Sequence, residues 1–139
     1  MGYLGINRKW KKGDKVEIKF DNTPRMVVAN DKVKNDRGKV AIERGPIVYC
    51  AEWPDNDFDI AGVVIQKDAK ISDSISQDSK LKGLHELNLP AQSISRNTDG
   101  KLGIRDVTLR MIPYYSWANR GEGKMRVWIP TELSSINNE

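Results

Sequence analysis

The residues best suited to chemistry lie close together in the stretch 112–130, IPYYSWANRGEGKMRVWIP. Tyr114, Tyr115 and Trp117 offer flat faces that stack on sugar rings, and Asn119 and Arg120 offer donors for sugar hydroxyls. The same side chains also fill sandwich cores or cover a neighbouring domain, with their polar ends at the rim. In a period-two strand Tyr115 and Trp117 share one face and Tyr114 takes the other, so a common platform requires Pro113 to turn the chain. Two readings stay open on these residues: sugar contact, or packing and domain contact.

Other constellations are thinner. Asp55, Asp57 and Asp59 alternate in PDNDFD, as hard oxygen ligands of Ca2+ can, but the glycine and distal glutamate of an EF-hand loop are missing. A polar connection after a strand explains the same residues. No other cofactor is suggested. Carboxylates for glycoside hydrolysis could come from Glu43, Glu52, Asp55, Asp57 and Asp59, although sequence does not set the roughly 5–10 Å spacing that mechanism needs. Cys50 and His85 form the sole thiol–imidazole pair, yet Cys50 sits in the apolar run PIVYCAEW, where a thiol stays protonated and inert. One Cys and one His are too few for a Cys/His zinc site and exclude an internal disulfide. The GEG at Gly121–Gly123 lacks the Lys-Ser/Thr of a phosphate loop and reads as a hairpin turn.

The elements that must carry these residues are strands. Lys15–Phe20 (KVEIKF) alternates so that Val16, Ile18 and Phe20 share a face, and RMVVAN follows a DNTP turn. The run 39–53 is broken by Gly45-Pro46, and Pro46, having no N–H, marks an edge, bulge or break. Beyond it Ile47, Tyr49 and Ala51 alternate with Val48, Cys50 and Glu52. Both faces are mostly apolar, which predicts a strand covered on both sides. GVVIQ, LHELNLPAQSI, DVTLRMIPYY and KMRVWI are further strand patterns; the last two are expected to pair around Gly121–Gly123. No amphipathic helix longer than about two turns is legible. The stretch 67–83 reads as an exposed, loop-rich or disordered connection with one strand around Ile71–Ile75, and the tail 132–139 as frayed.

A length of 139 residues with 38% hydrophobic and 30% charged side chains fits one folded domain. Seven to nine short strands separated by turns predict an all-β, antiparallel β-sandwich of jelly-roll type. The net charge of +4 is spread among Asp and Glu, which argues for a solvated surface and against a nucleic-acid footprint. No apolar run reaches the roughly 20 residues of a membrane helix. The N-terminus carries no secretory h-region, so the chain is expected to be cytoplasmic or a segment whose signal lies elsewhere.

Three phrases taken together, GYLGINRKWKKGDKVEI, GKVAIERGPIVYCAE and IPYYSWANRGEGKMRVWI, resemble the C-terminal β-sandwich region of glycoside hydrolase family 127, which includes β-L-arabinofuranosidases. The matching positions are Trp10, Gly13, Asp14, Arg44, Gly45, Pro46, Val48, Tyr49, Pro113, Tyr114, Trp117, Asn119, Arg120 and Gly121. The stretch 55–101 shows no clear match. The resemblance implies that catalysis belongs to an α/α barrel with a zinc-bound cysteine nucleophile and a glutamate acid/base, none of it in this chain. Cys50 falls in the sandwich segment and inherits no nucleophilic role. The implied function is a non-catalytic accessory domain, with the barrel of the same or a neighbouring polypeptide as partner and Tyr114–Arg120, Trp10 and Trp53 as contact candidates. The alternative is a carbohydrate-binding module for arabinose-containing plant glycans. Relatives of this kind are secreted or periplasmic in polysaccharide-degrading bacteria, which sets the expected location of a parent protein.

Overall fold

The computed structural model describes residues 2–136 and contains nine strands: β1 (Pro24–Val28), β2 (Lys39–Arg44), β3 (Ile47–Glu52), β4 (Val63–Ile65), β5 (Ser72–Ile75), β6 (His85–Arg96), β7 (Leu102–Pro113), β8 (Met125–Arg126) and β9 (Ile129–Pro130). The remaining regular pieces are single 3-10 turns. All strand pairs are antiparallel, in the order β1-β2-β3-β7-β6-β4. The predicted all-β sandwich architecture is what forms. The sheet curls until β9, paired to β2, packs against β4 at the other end.

Local chemistry explains the main hairpins. Gly45 and Pro46 join β2 to β3 as a two-residue turn, with Gly45 at φ +57°, the positive value such a turn needs at its first central position. Pro46 therefore marks a strand break. Pro90 lies inside β6 without harm. On one edge of β6, β5 pairs with 85–88 and β4 with 91–93, so the residue without an N–H falls in the gap between two successive partners.

The core lies on the concave side of the curl, where Ile42, Tyr49, Ile65, Leu89, Met111 and Ile129 are almost fully buried. Burying each such side chain contributes about 1.5–3 kcal/mol. The opposite face of β3 and β7 carries a second, smaller cluster of Cys50, Leu81 and Ile112. β3 is thus covered on both sides, as its doubly apolar pattern predicts.

Three expectations are corrected. Lys15–Phe20 forms no strand, because alternation supplies a face and not a partner edge, and no described residue pairs with it. KMRVWI is not one strand, and it does not pair with β7. Instead the β2–β3 hairpin opens at its free end, and residues 125–130 wedge into the mouth: Arg126 pairs with Ala51, and Ile129 with Val40. Since β2 and β3 run in opposite directions, the chain must reverse between Arg126 and Ile129. Third, 114–116 is a 3-10 turn and not a continuing strand.

The stretch 67–83 holds β5 and a 3-10 turn, Ser79–Leu81, whose Leu81 is buried. Within the tail, Leu133–Ser135 forms a 3-10 turn with Ser135 buried; residues 137–139 lie outside the described residues.

Candidate functional site

The aromatic stretch leaves the sheet at Pro113. The turn Tyr114–Ser116 follows, closed by Trp117 N donating to Tyr114 O at 3.0 Å. Three residues per turn bring positions i and i+3 into line. Tyr114 and Trp117 therefore stack, with ring centroids 6.2 Å apart and planes inclined by 13°. A period-two reading separates Tyr114 from Trp117; the turn after Pro113 puts them side by side. Their exposures are 45% and 43%, and Tyr115 is 64% exposed. Asn119 is exposed as well.

Arg120 goes the other way. Ala118 adopts φ +64°, a left-handed conformation uncommon for a residue with a Cβ. The chain folds back there, so Ala118 N donates to Glu52 Oε1 at 3.0 Å. Arg120 then enters the protein beside it. Its guanidinium donates to Glu52 Oε2 at 2.7 Å, makes a two-pronged pair with Asp55 and reaches Asp78 at 3.5 Å. Glu52, Asp55 and Arg120 keep 0%, 1% and 7% of their side-chain surface. Hydrogen bonds to Asp55 and then Glu52 outweigh burial and raise the Arg120 pKa above its ordinary value.

The network extends along the same face of the sheet. Arg110 makes a two-pronged pair with Glu86 and lies 3.7 Å from Asp55. Asn56 joins the strand and the loop: its amide donates to Glu52 O at 2.9 Å and Arg110 O at 3.1 Å, and it accepts from Arg110 N at 3.0 Å. The buried Arg120 and the partly exposed Arg110 are both compensated by the carboxylates around them, the condition under which charges are tolerated inside a protein. Sequence reasoning did not single out Arg110, Glu86 or Asn56. The available signal was a charge within LRMI, on the strand face that also presents Ile112.

The other candidates separate. Asp55 is held by arginines, Asp57 is exposed and 3.3 Å from Arg105, and Asp59 caps the turn at Ala61 and pairs with Lys124 at 3.1 Å. No three His, Cys, Asp or Glu side chains converge as metal ligands among the described residues. Glu43 pairs with Arg25 at 2.7 Å. Glu52 and Asp55 do converge, but on Arg120 and beneath the surface, where no substrate reaches them. Cys50 is 0% exposed and faces Leu81 and Ile112. Burial, with repulsion from Glu52 and Asp55, pushes its thiol up to about 12. His85 instead bonds Asp73 through Nδ1 at 2.6 Å. A zinc-thiolate centre does not fit these surroundings. Trp53, also exposed, lies over Gly123 and leaves no room there for a Cβ. At the other end Trp10 is exposed, with the Arg8 guanidinium 5.1 Å above its ring.

The family model described as the glycoside hydrolase family 127 C-terminal domain matches residues 24–130, including 55–101, where motif reading found nothing clear. A curated relative, the non-reducing end β-L-arabinofuranosidase of Bifidobacterium longum subsp. longum, is 38% identical over 142 residues, covering 91% of this chain and 20% of that protein. A solved family 127 β-arabinofuranosidase superposes with TM-score 0.84 at 49% identity, over 92% of this chain and 20% of its own. A family 127 β-L-arabinofuranosidase from Geobacillus stearothermophilus T6 gives TM-score 0.68 at 33% identity, over 78% of this chain and 18% of its own. The chain thus spans about a fifth of the length of these relatives.

Proposed function

Because this chain belongs to the family of glycoside hydrolase family 127 C-terminal domains, we propose that it is a non-catalytic accessory domain that docks on the catalytic part of an arabinofuranosidase-like hydrolase. The observation that carries this reading is the loop 114–120. Its buried end, Arg120, is locked to Glu52 and Asp55, while its outer end presents the Tyr114–Trp117 stack to a partner. A rigid, exposed aromatic pair is the kind of anchor that interfaces concentrate their energy on. Glu52 and Asp55, the two candidate acids that converge, are the ones that hold the loop, so this geometry withdraws that pair from catalysis. Purified chain incubated with a β-L-arabinofuranoside, with and without zinc, is expected to release no arabinose. Zinc-dependent turnover by the pure chain would overturn the proposal.

A second reading rests on the same stack. Two stacked, nearly parallel and half-exposed rings beside Asn119 form a contact surface for an arabinose-containing glycan. Calorimetric titration with arabino-oligosaccharides decides it. Binding that disappears in Trp117→Ala supports sugar contact; the same absence of heat from both proteins removes it.

A further inference from the structure

Residues 2–22 carry a β-pattern without a sheet. Val16, Ile18 and Phe20 alternate with Lys15, Glu17 and Lys19, yet the three apolar side chains are 54%, 69% and 69% exposed. Tyr3, Leu4 and Trp10 are exposed upstream of them. A turn already stands between the two arms. Asp14 N donates to Lys11 O at 3.1 Å, the Asp14 carboxylate accepts from Lys11 N at 2.8 Å, and Gly13 supplies φ +94°. That Asp14–Lys11 contact is the one backbone–backbone hydrogen bond of the stretch among the described residues. The remaining N–H and C=O groups of a segment with an alternating apolar face form a template for pairing.

The chain's own free sheet edge does not take it. β1 follows directly, but Asp21 accepts from Thr23 N at 2.9 Å and Thr23 Oγ1 at 2.7 Å, fixing a turn, and Lys15–Phe20 forms no ladder with β1. The family model begins at residue 24, so the segment lies outside the C-terminal domain unit. The relatives nevertheless match 91% and 92% of this chain, and the unmatched remainder is too short to reach Lys15 from the N-terminus. The segment is therefore shared with proteins about five times as long, which contain further polypeptide outside the matched region.

We propose that Lys15–Phe20 is a β-strand donated to a sheet edge in the remainder of the longer hydrolase polypeptide. That edge receives Val16, Ile18 and Phe20 on an apolar face and leaves Lys15, Glu17 and Lys19 in solvent. Main-chain ladder bonds provide the attachment, and the three alternate side chains fix the register. The inference rests on the accessory-domain reading and adds to it a second attachment, separate from the Tyr114–Trp117 face.

The test is hydrogen exchange, read by mass spectrometry, on the free chain and on a chimera in which this chain replaces the matching fifth of the Bifidobacterium longum enzyme. In the free chain the amides of 15–20 are expected to exchange like an unstructured peptide. In the chimera they are expected to slow by about tenfold or more. Ile18→Asp restores fast exchange in the chimera and leaves the melting temperature of the free chain unchanged. Protection already present in the free chain, whether from β1 or, if it rises with concentration, from a second copy, overturns the proposal. So does fast exchange in a folded chimera. Should the chimera not fold, the intact Bifidobacterium longum enzyme is measured at the positions aligned with Lys15–Phe20, and fast exchange there likewise sinks the idea. A folded chimera protected at Tyr114–Trp117 but open at 15–20 removes the donated strand alone. The reverse pattern removes the aromatic docking face alone.

Discussion

Arg120 and Glu52, 68 residues apart in the chain, meet at 2.7 Å with side-chain exposures of 7% and 0%. Glu52 ends β3 and Arg120 ends the aromatic loop, so this pair fastens the loop to the sheet. Glu52 holds the loop twice, since its other oxygen accepts from Ala118 N. The Tyr114–Trp117 stack gains its fixed orientation from charges it does not itself touch.

Removing that guanidinium leaves buried carboxylates unpaired. Arg120→Met is expected to cost about 3–5 kcal/mol, the usual penalty for breaking a buried pair from one side. Arg120→Lys keeps the charge but loses the two-pronged pairing with Asp55, and is expected to fall between Met and the natural residue. Urea unfolding of the two variants measures the order; equal stability of Met and the parent would show that the network is dispensable.

Tyr114→Ala and Trp117→Ala remove half-exposed rings that cover no core. Each is expected to change unfolding free energy by less than about 1 kcal/mol. Attachment to a catalytic portion, or glycan binding, is where their effect is expected. A large stability loss in either variant would make the stack a structural feature of the loop.

The Cys50 thiol, held up to about 12 chiefly by burial, is expected to resist alkylation in the folded chain at pH 8 and to react once urea unfolds it. The sign for stability follows. The folded value lies above the unfolded value of about 8.5, so the contribution is complete below that pH and is lost as pH rises toward the folded value. Cys50→Ala is expected to flatten the alkaline limb of a stability–pH curve. Rapid labelling of native protein contradicts this account.

Asp73 ties β5 to its neighbours, bonding Arg44 at 2.7 Å and His85 at 2.6 Å. Burial raises its carboxyl pKa, but the hydrogen bonds from His85 and Arg44 outweigh that and hold it below the ordinary value. A depressed carboxylate stabilises above its unfolded value, about 3.9, and that contribution disappears as pH falls through the folded value. Asp73→Asn is expected to lower stability near neutrality and to weaken the acid-side decline. An unchanged acid limb in a pH series of melting curves would exclude the assignment.

At Gly62 a Cβ would collide with the backbone carbonyl oxygen of Ile94, which cannot swing aside as a side chain can. Gly62→Ala is expected to destabilise by about 1–3 kcal/mol through overpacking. At Gly123 the collision is with the exposed Trp53 indole, so Gly123→Ala is expected to shift tryptophan fluorescence at smaller cost. Reversal of that order in thermal melts would contradict the packing.

The chain's own order of residues determines whatever depends on near neighbours. Alternation marks the strands around Ile42, Tyr49, Leu89 and Met111, Gly45-Pro46 marks a hairpin, and PYYSWANRG with GPIVY carries the family likeness. These features are legible because strand period and turn conformation are set within a few residues. Only the tertiary structure decides which way the ends of these elements point. Arg120 reads as a ligand donor beside Asn119, but sheet register carries Glu52 and Asp55 from more than 60 positions away to a place where they neutralise its guanidinium. KMRVWI reads as a strand, but the opened mouth of the β2–β3 hairpin divides it between two partners. Lys15–Phe20 also reads as a strand and has no described partner. Alternation specifies a buried face, whereas pairing requires a second edge whose position lies outside any local pattern.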